Sequence, residues 1–166
     1  MNIEIKKVCI DEKEILRNLM EKYDYEFSQY EDKDVNNFGL YGYEYIDHYF
    51  TEENRFPYFI KVDTKLAGLI MVCNYKDIDF GTEYSMSEFF VMYKYKRQGI
   101  GKYSVNYIFN QFKGKWQITY AQKNKPAMEF WNKIVNIYTN GNYKKIENFK
   151  KYDDDLIRDI LIFEIK

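Results

Sequence analysis

Between Met86 and Tyr138 the hydrophobic period switches repeatedly between two and about 3.6, and that switching restricts the chain to alternating strands and helices. Met86 to Met92 is a short apolar run. Lys94, Lys96 and Arg97 then lead into Gly99-Ile100-Gly101, after which Val105, Ile108, Phe109 and Phe112 stand at i, i+3, i+4 and i+7. Gly114 is read as the helix stop. Trp116 to Ala121 alternates as a strand, and Asn124-Lys125-Pro126 opens another helix with Asn as N-cap and Pro in the first turn. Ala127, Phe130, Trp131, Ile134, Val135 and Tyr138 trace its apolar face as far as Asn140-Gly141. The result is a βαβα unit.

The flanks carry weaker signals. Asn2 to Val8 reads as a first strand, and Asp11 with Glu14 has the spacing of a capping box for a helix that begins near Glu12 and uses Ile15, Leu16, Leu19, Met20 and Tyr23. Residues 24–57 are aromatic and acidic, with a short helix expected around Tyr43 to Phe50. Tyr58 to Val62, an Asp63-Thr64-Lys65 turn and Leu66 to Cys73 make an antiparallel hairpin, followed by a loop through Asp77 to Glu83. Two strands, Lys144 to Phe149 and Asp159 to Lys166, close the chain around an Asp153-Asp154-Asp155 turn. No repeat or low-complexity linker divides residues 1–166, so a single domain is expected.

Composition removes several classes of function. Charged residues at 31% and hydrophobic residues at 46% fit a soluble globular protein, and a net charge of -1 provides no global field toward nucleic acid or an anionic membrane. Cys9, Cys73 and His48 are the only cysteines and histidine, too few for a disulfide scaffold or a zinc site, so no metal is expected. The amino terminus is charged where a secretory signal needs an apolar run, and no stretch approaches the roughly 18 apolar residues of a membrane helix. A cytoplasmic location is expected.

A Gly-x-Gly between strand and helix lets backbone N–H groups converge beside a helix N-terminus carrying roughly half a positive charge, which suits a phosphate. A P-loop would need Gly at 96 and Ser or Thr at 103, where this chain has Lys and Tyr. The dinucleotide fingerprint would need a third glycine at 104, which is Ser, and a position after an amino-terminal parallel strand. On its own the turn supports an anion at a helix N-terminus.

Glu88 to Lys102, reading EFFVMYKYKRQGIGK, resembles the acetyl-CoA-binding motif of the GNAT N-acetyltransferase superfamily, whose core is Gln/Arg-x-x-Gly-x-Gly/Ala. Lys96 stands where that pattern has Gln or Arg; Arg97, Gln98, Gly99, Ile100 and Gly101 fit it. Asn124 to Trp131, reading NKPAMEFW, resembles the family's next helix. EFSQY, GLYGYEYIDHYF and RFPYFIKVDTKLAGLIMV look like a subgroup of uncharacterised bacterial acetyltransferases. The resemblance implies one α/β (α+β) domain with a central mixed, mostly antiparallel sheet of about six or seven strands, helices on both faces, and splayed fourth and fifth strands, here Ser85 to Met92 and Trp116 to Ala121. It implies acetyl-CoA as cosubstrate, with residues 85–138 as its binding core and residues 1–57 as the acceptor-binding part. Val91, Met92 and Tyr93 would run along the pantetheine arm, the amides of Gln98, Gly99, Ile100, Gly101 and Lys102 with Arg97 would hold the pyrophosphate, and Asn124, Ala127 and Trp131 would flank the sulfur end.

For chemistry, an amine attacking a thioester needs its lone pair free, and Glu88, in an apolar strand where burial lifts a carboxyl pKa, is the candidate base, with Glu83 second. A backbone N–H near Val91 would stabilise the oxyanion. Relatives carry a tyrosine acid where this chain has Trp131, so either the thiolate leaves unaided, Tyr138 or Tyr120 substitutes, or catalysis is lost. His48 reads as a surface or packing residue, while Asp24, Glu26, Glu31, Asp32 and Glu44 offer charge to a cationic amine. The expected activity is direct acetyl transfer in a ternary complex to the primary amine of a small molecule, with a peptide or protein amine as the other acceptor class. A non-catalytic acyl-CoA sensor is the rival. No nucleic acid or membrane partner is expected, and a homodimer is left open.

Overall fold

In the computed structural model, which describes residues 1–76, 78–152 and 154–166, the two hydrophobic periods produce strands and helices in the expected alternation. Asp77 of the expected loop and Asp153 of the acidic turn lie outside the described residues. In chain order the elements are β1 (Ile3–Lys7), α1 (Lys13–Phe27), α2 (His48–Thr51), β2 (Arg55–Val62), β3 (Lys65–Cys73), β4 (Tyr84–Val91), α3 (Ile100–Gln111), β5 (Gly114–Ala121), α4 (Lys125–Thr139), β6 (Lys144–Lys150) and β7 (Ile157–Ile165). The strands form a seven-stranded sheet of order β1-β2-β3-β4-β5-β7-β6. β1 with β2, β5 with β7 and β6 with β7 are antiparallel; β4 and β5 are parallel, pairing Tyr84 with Trp116 and Ser85 with Gln117. This is the mixed, mostly antiparallel sheet expected of the sequence.

The chain gathers into two compact units, the first Met1–Val72 with Glu88–Val105, the second Cys73–Ser87 with Asn106–Lys166. In the first, Leu16 and Met20 of α1 are fully buried, as are Ile60 of β2 and Leu69, Ile70 and Met71 of β3. Each such side chain contributes roughly 1.5–3 kcal/mol on burial. In the second, Phe109, Trp116 and Phe163 form an aromatic centre with ring centroids 5.2 and 5.6 Å from Phe109, beside buried Ile134 and Val135 of α4.

Four details depart from the sequence reading. The entry to α1 is a 3-10 turn at Ile10–Glu12, and the reciprocal cap joins Cys9 to Glu12 rather than Asp11 to Glu14: the Cys9 N–H donates to Glu12 Oε2 at 3.2 Å. Lys6 donates to the same carboxylate at 2.5 Å, an anchor in space that spacing alone does not announce. Ile15 is 42% exposed and falls off the buried face, and α2 spans only His48–Thr51. α3 ends at Gln111, so Gly114 does not stop it but opens β5 with φ +130°. The Asn124 N-cap and the Asn140-Gly141 stop hold: Asn124 Oδ1 accepts the Ala127 N–H at 3.0 Å, and Asn140 and Gly141 have φ of +50° and +79°.

β3 and β4 approach closely at Gly68, where a Cβ would lie 2.0 Å from the Phe90 carbonyl oxygen and 3.1 Å from Val91 Cα. Two residues on, the Met92 N–H donates to the Ala67 carbonyl at 2.8 Å. Backbone cannot yield as a flexible side chain does, so Gly68→Ala should lower stability by about 2–4 kcal/mol in urea unfolding. A loss below about 0.5 kcal/mol, the size of an ordinary surface substitution, would show that the two strands part freely.

Candidate active site

The first unit holds one carboxylate in unusual surroundings. Glu88 of β4 is half-buried, and the Tyr43 hydroxyl, carried by the loop between α1 and α2, donates to its Oε1 at 3.0 Å. The Tyr23 hydroxyl of α1 is hydrogen-bonded to the same carboxyl. Tyr23 is set in place by Phe27, stacked at 4.2 Å, and by Phe90, edge-on at 6.0 Å. Burial pushes the Glu88 carboxyl up to about 7; the two hydroxyls oppose that rise, while the negative charges of Glu31 and Asp24 add to it. Tyr23 is itself pushed well above the ordinary tyrosine range, by burial first and by Glu88 next.

Beside this group lies Asp24, buried at 4% exposure, whose Oδ1 accepts from Lys33 at 2.8 Å and whose Oδ2 has no partner among the described residues. Burial raises its pKa although Lys33 pulls the other way. Of the other acidic candidates, Glu26 is ion-paired to Lys96, Glu31 is half-buried, and Asp32 and Glu44 are exposed. His48 is exposed and paired with Glu52 at 2.7 Å, the surface role expected for it. The sequence reading passed over Glu21: its Oε2 accepts the Tyr41 N–H at 2.8 Å and its Oε1 the Gly42 N–H at 2.9 Å. Tyr23 and Tyr43 were likewise not singled out as partners of Glu88, and no local pattern marks a contact 45 residues apart.

Further along the same unit, β4 ends at Val91 and a 3-10 turn spans Tyr93–Tyr95. Because the Met92 N–H is committed to Ala67, strand alternation puts the Val91 N–H on the other edge of β4. Arg97 and Gly99 both adopt left-handed backbone, φ +60° and +79°, immediately before α3 begins at Ile100. The first helical bond in this turn runs from the Tyr103 N–H to the Gly99 carbonyl at 3.0 Å, so the N–H groups of Ile100, Gly101 and Lys102 precede the ladder and have no helical carbonyl to bond. A Cβ at Gly99 would meet nothing within 4 Å, so glycine is needed there for its φ, and the space above it is open. Arg97, Gln98 and Lys102 are exposed around this turn, with Ile100 buried beneath it. These groups suit an anion such as a pyrophosphate. Lys96 is not part of that charge, since its ammonium is paired with Glu26 of α1.

The remaining candidates fall in the second unit. Asn124 is buried, its side chain spent on capping α4; Ala127 and Trp131 follow on the same helix, Ala127 half-buried and Trp131 buried with its ring 4.9 Å from Phe130. The Tyr138 hydroxyl donates to Asn106 Oδ1 at 2.7 Å and the Tyr120 hydroxyl to Asn132 Oδ1 at 3.2 Å; burial raises both above the ordinary tyrosine range. Glu83 is engaged structurally: its Oε2 accepts the Lys115 N–H at 2.9 Å and lies over Gly114, where a Cβ would come within 2.3 Å. Among the described residues no three His, Cys, Asp or Glu side chains gather to hold a metal, and no helix is long and apolar enough to cross a membrane.

Comparison with known proteins places this geometry. The chain is similar in fold to an N-acetyltransferase from Staphylococcus aureus, with 12% identity, a TM-score of 0.67 and 100% of each chain covered. It is similar to a spermidine N-acetyltransferase from Vibrio cholerae solved with CoA and spermine, with 10% identity, a TM-score of 0.66, and 98% of this chain and 95% of that one covered. It is also similar to a ribosomal-protein alanine N-acetyltransferase from Escherichia coli, with 10% identity, a TM-score of 0.62, and coverage of 99% and 94%. No curated protein matches the chain. The profile of the acetyltransferase (GNAT) family matches residues 14–136, and with the sheet order and the turn before α3 already described, the chain belongs to that family.

Proposed function

We propose that this acetyltransferase acts as one domain and moves the acetyl group of acetyl-CoA to a primary amine of a small molecule, by direct attack in a ternary complex, with Glu88 as the base. The observation that carries the reading is a carboxyl raised to about 7 on the same strand whose end leads into the anion-binding turn. A base poised near neutrality combines an ionised fraction with a useful proton affinity. Glu88 takes a proton from the incoming ammonium, the freed nitrogen attacks the thioester carbon, the C–N bond forms, the C–S bond breaks, and the nitrogen sheds its remaining extra proton to solvent to leave the neutral amide. The Val91 N–H is assigned to the carbonyl oxygen as charge builds on it. Tyr138 and Tyr120 are held by amide oxygens with raised pKa values, which makes them poor proton donors, so the thiolate leaves unaided and takes its proton from solvent.

Charge and enclosure favour the acceptor class. Asp24 and Glu31 lie close enough to act on Glu88, and the rings of Tyr23, Phe27, Tyr30, Tyr43 and Tyr45 are concentrated in the same amino-terminal region. That combination suits a compact cationic amine. The fold alone does not choose, since one protein of similar fold is named for spermidine and another for a ribosomal protein. A broad screen of polyamines, amino acids, aminoglycosides and peptides, read by release of the CoA thiol, should find a small amine substrate. With that substrate Glu88→Gln should lose about 10²-fold or more in kcat/KM. Unchanged turnover in the variant would remove Glu88 as base, and thermal stabilisation by ATP or NAD but not by CoA would overturn the cosubstrate.

Stability gives a second test. Because the Glu88 carboxyl is higher in the folded chain than its ordinary 4.5, the folded state keeps a proton that the unfolded state releases. Below that range both states are protonated and nothing is lost. Stability then falls as pH rises from about 4.5 to about 7 and stays lower above it, by at most about 3 kcal/mol. Glu88→Gln removes this cost, so its urea midpoint relative to the wild type should improve between pH 5 and pH 8. An equal difference at both would show an ordinary carboxylate.

A further inference from the structure

We propose that Tyr43 and Tyr23 are positioning residues that clamp the Glu88 carboxyl from two sides, and that Glu21 sets Tyr43 by pinning the backbone of its loop. The inference rests on the reading of Glu88 as base, and it adds the means by which the acceptor-side loop and the base are tied together. The geometry is a relay of three contacts within one unit. Glu21 of α1 takes both the Tyr41 and the Gly42 N–H, at 2.8 and 2.9 Å. Gly42 turns the chain with φ +67°, and the next residue, Tyr43, delivers its hydroxyl to Glu88 Oε1 at 3.0 Å. Tyr23 lies two residues after Glu21 in α1 and bonds the same carboxyl. One helix therefore supplies both a direct clamp on Glu88 and the anchor for the other.

The loop is held at further points. Asn36 Oδ1 accepts the Phe38 and Leu40 N–H groups at 2.9 and 3.1 Å, and Lys33 joins Asp24 of α1 while lying 5.7 Å from the Tyr41 ring centroid. A loop held at Lys33, Asn36 and Tyr41–Gly42 can carry a hydroxyl to a fixed point. The groups that act electrostatically on Glu88 are Tyr23 and Asp24 from α1 and Glu31 and Tyr43 from the loop; the hydroxyls favour its ionised form and the two carboxylates disfavour it. Loss of a clamp hydroxyl and loss of packing therefore move the carboxyl in opposite directions. Removing a hydrogen bond alone raises its midpoint, whereas admitting water lowers it toward the ordinary glutamate range.

The test is a carboxyl-carbon NMR titration of the full chain labelled at glutamate, the Glu88 signal being the one absent from Glu88→Gln. Tyr43→Phe and Tyr23→Phe should each raise the Glu88 midpoint by about one pH unit, the size of one hydrogen bond to a charged group. Glu21→Ala should raise it by a smaller amount in a chain that keeps Tyr43, and should add nothing in a Tyr43→Phe background. An unmoved or lowered midpoint in both phenylalanine variants would overturn the clamp, and a full additional shift from Glu21→Ala in the Tyr43→Phe background would remove Glu21 from it. The outcome is separable from the catalytic reading: a clamp that titrates as expected beside an unimpaired Glu88→Gln enzyme would sink the base assignment and leave the positioning intact.

Discussion

The close approach of β3 and β4 at Gly68 is the constraint on which the first unit is built. Only a hydrogen fits against the Phe90 carbonyl there, and the Ala67 carbonyl then reaches the Met92 N–H. Those two contacts bracket Val91 and fix the last residues of β4 in height and direction. Phe90 is buried and meets Tyr23, so the strand's position sets where α1 presents its hydroxyl; Glu88, two residues earlier on the same strand, is set by the same contacts. From Met92 the chain has only a 3-10 turn before Arg97 and Gly99 bring it into α3. The Glu88 carboxyl and the turn into α3 are thus registered to one strand end by backbone packing, which no mobile side chain can relax.

Glu88 sits where two large effects oppose each other. Hydrogen bonds to an ionised group are worth about 1.5–3 kcal/mol each, and two hydroxyls favour its charged form. A carboxyl that still titrates near 7 means that burial, helped by Glu31 and Asp24, outweighs both bonds. Asp24 shows the same competition with a different partner, since one lysine does not offset burial and its Oδ2 remains unpaired among the described residues. Asp159 of β7 is the counterexample: equally buried, it is kept below the ordinary range by Gln122 at 2.6 Å, Lys145 at 3.0 Å and the Asn148 N–H at 3.3 Å. Three donors hold an aspartate ionised beside the β6 irregularity, where Asn148 adopts φ +57°. The number and kind of donors around each carboxylate, more than its depth, decide which can exchange a proton near neutrality.

Legibility in the sequence followed the range of the interaction. Val105, Ile108 and Phe109 were readable as a buried face because a helix repeats its environment every 3.6 residues, and Asn124 was readable as a cap because its bond to Ala127 spans three. The Asp11–Glu14 capping reading failed for the complementary reason: Glu12 is recruited by Lys6 as well as by Cys9, and a local pattern cannot weigh a contact from the neighbouring strand. Glu83 looked available as a base because nothing in its neighbourhood along the chain shows that Lys115 will come to its carboxylate from 32 residues away. The loop carrying Tyr43 has neither period, and its order comes from Glu21 and Asn36 side chains bonding backbone N–H groups.

The pairing of Lys96 with Glu26 changes what the turn into α3 could offer an anion. A basic cluster before a glycine turn invites an account in which lysines supply the attraction and the glycines merely allow the bend. With the Lys96 ammonium committed to α1, its charge is largely neutralised, and an anion at this turn would meet successive N–H groups from Ile100 to Lys102, oriented by left-handed residues at 97 and 99, with exposed Arg97 and Lys102 beside them. Such a cradle has fixed partial charges that cost nothing to orient when the ligand arrives, whereas a lysine must surrender rotamer freedom. Lys96 instead ties the turn to the helix that also carries Tyr23 and Glu21, so the turn into α3 and the hydroxyl beside Glu88 share α1 as their common support.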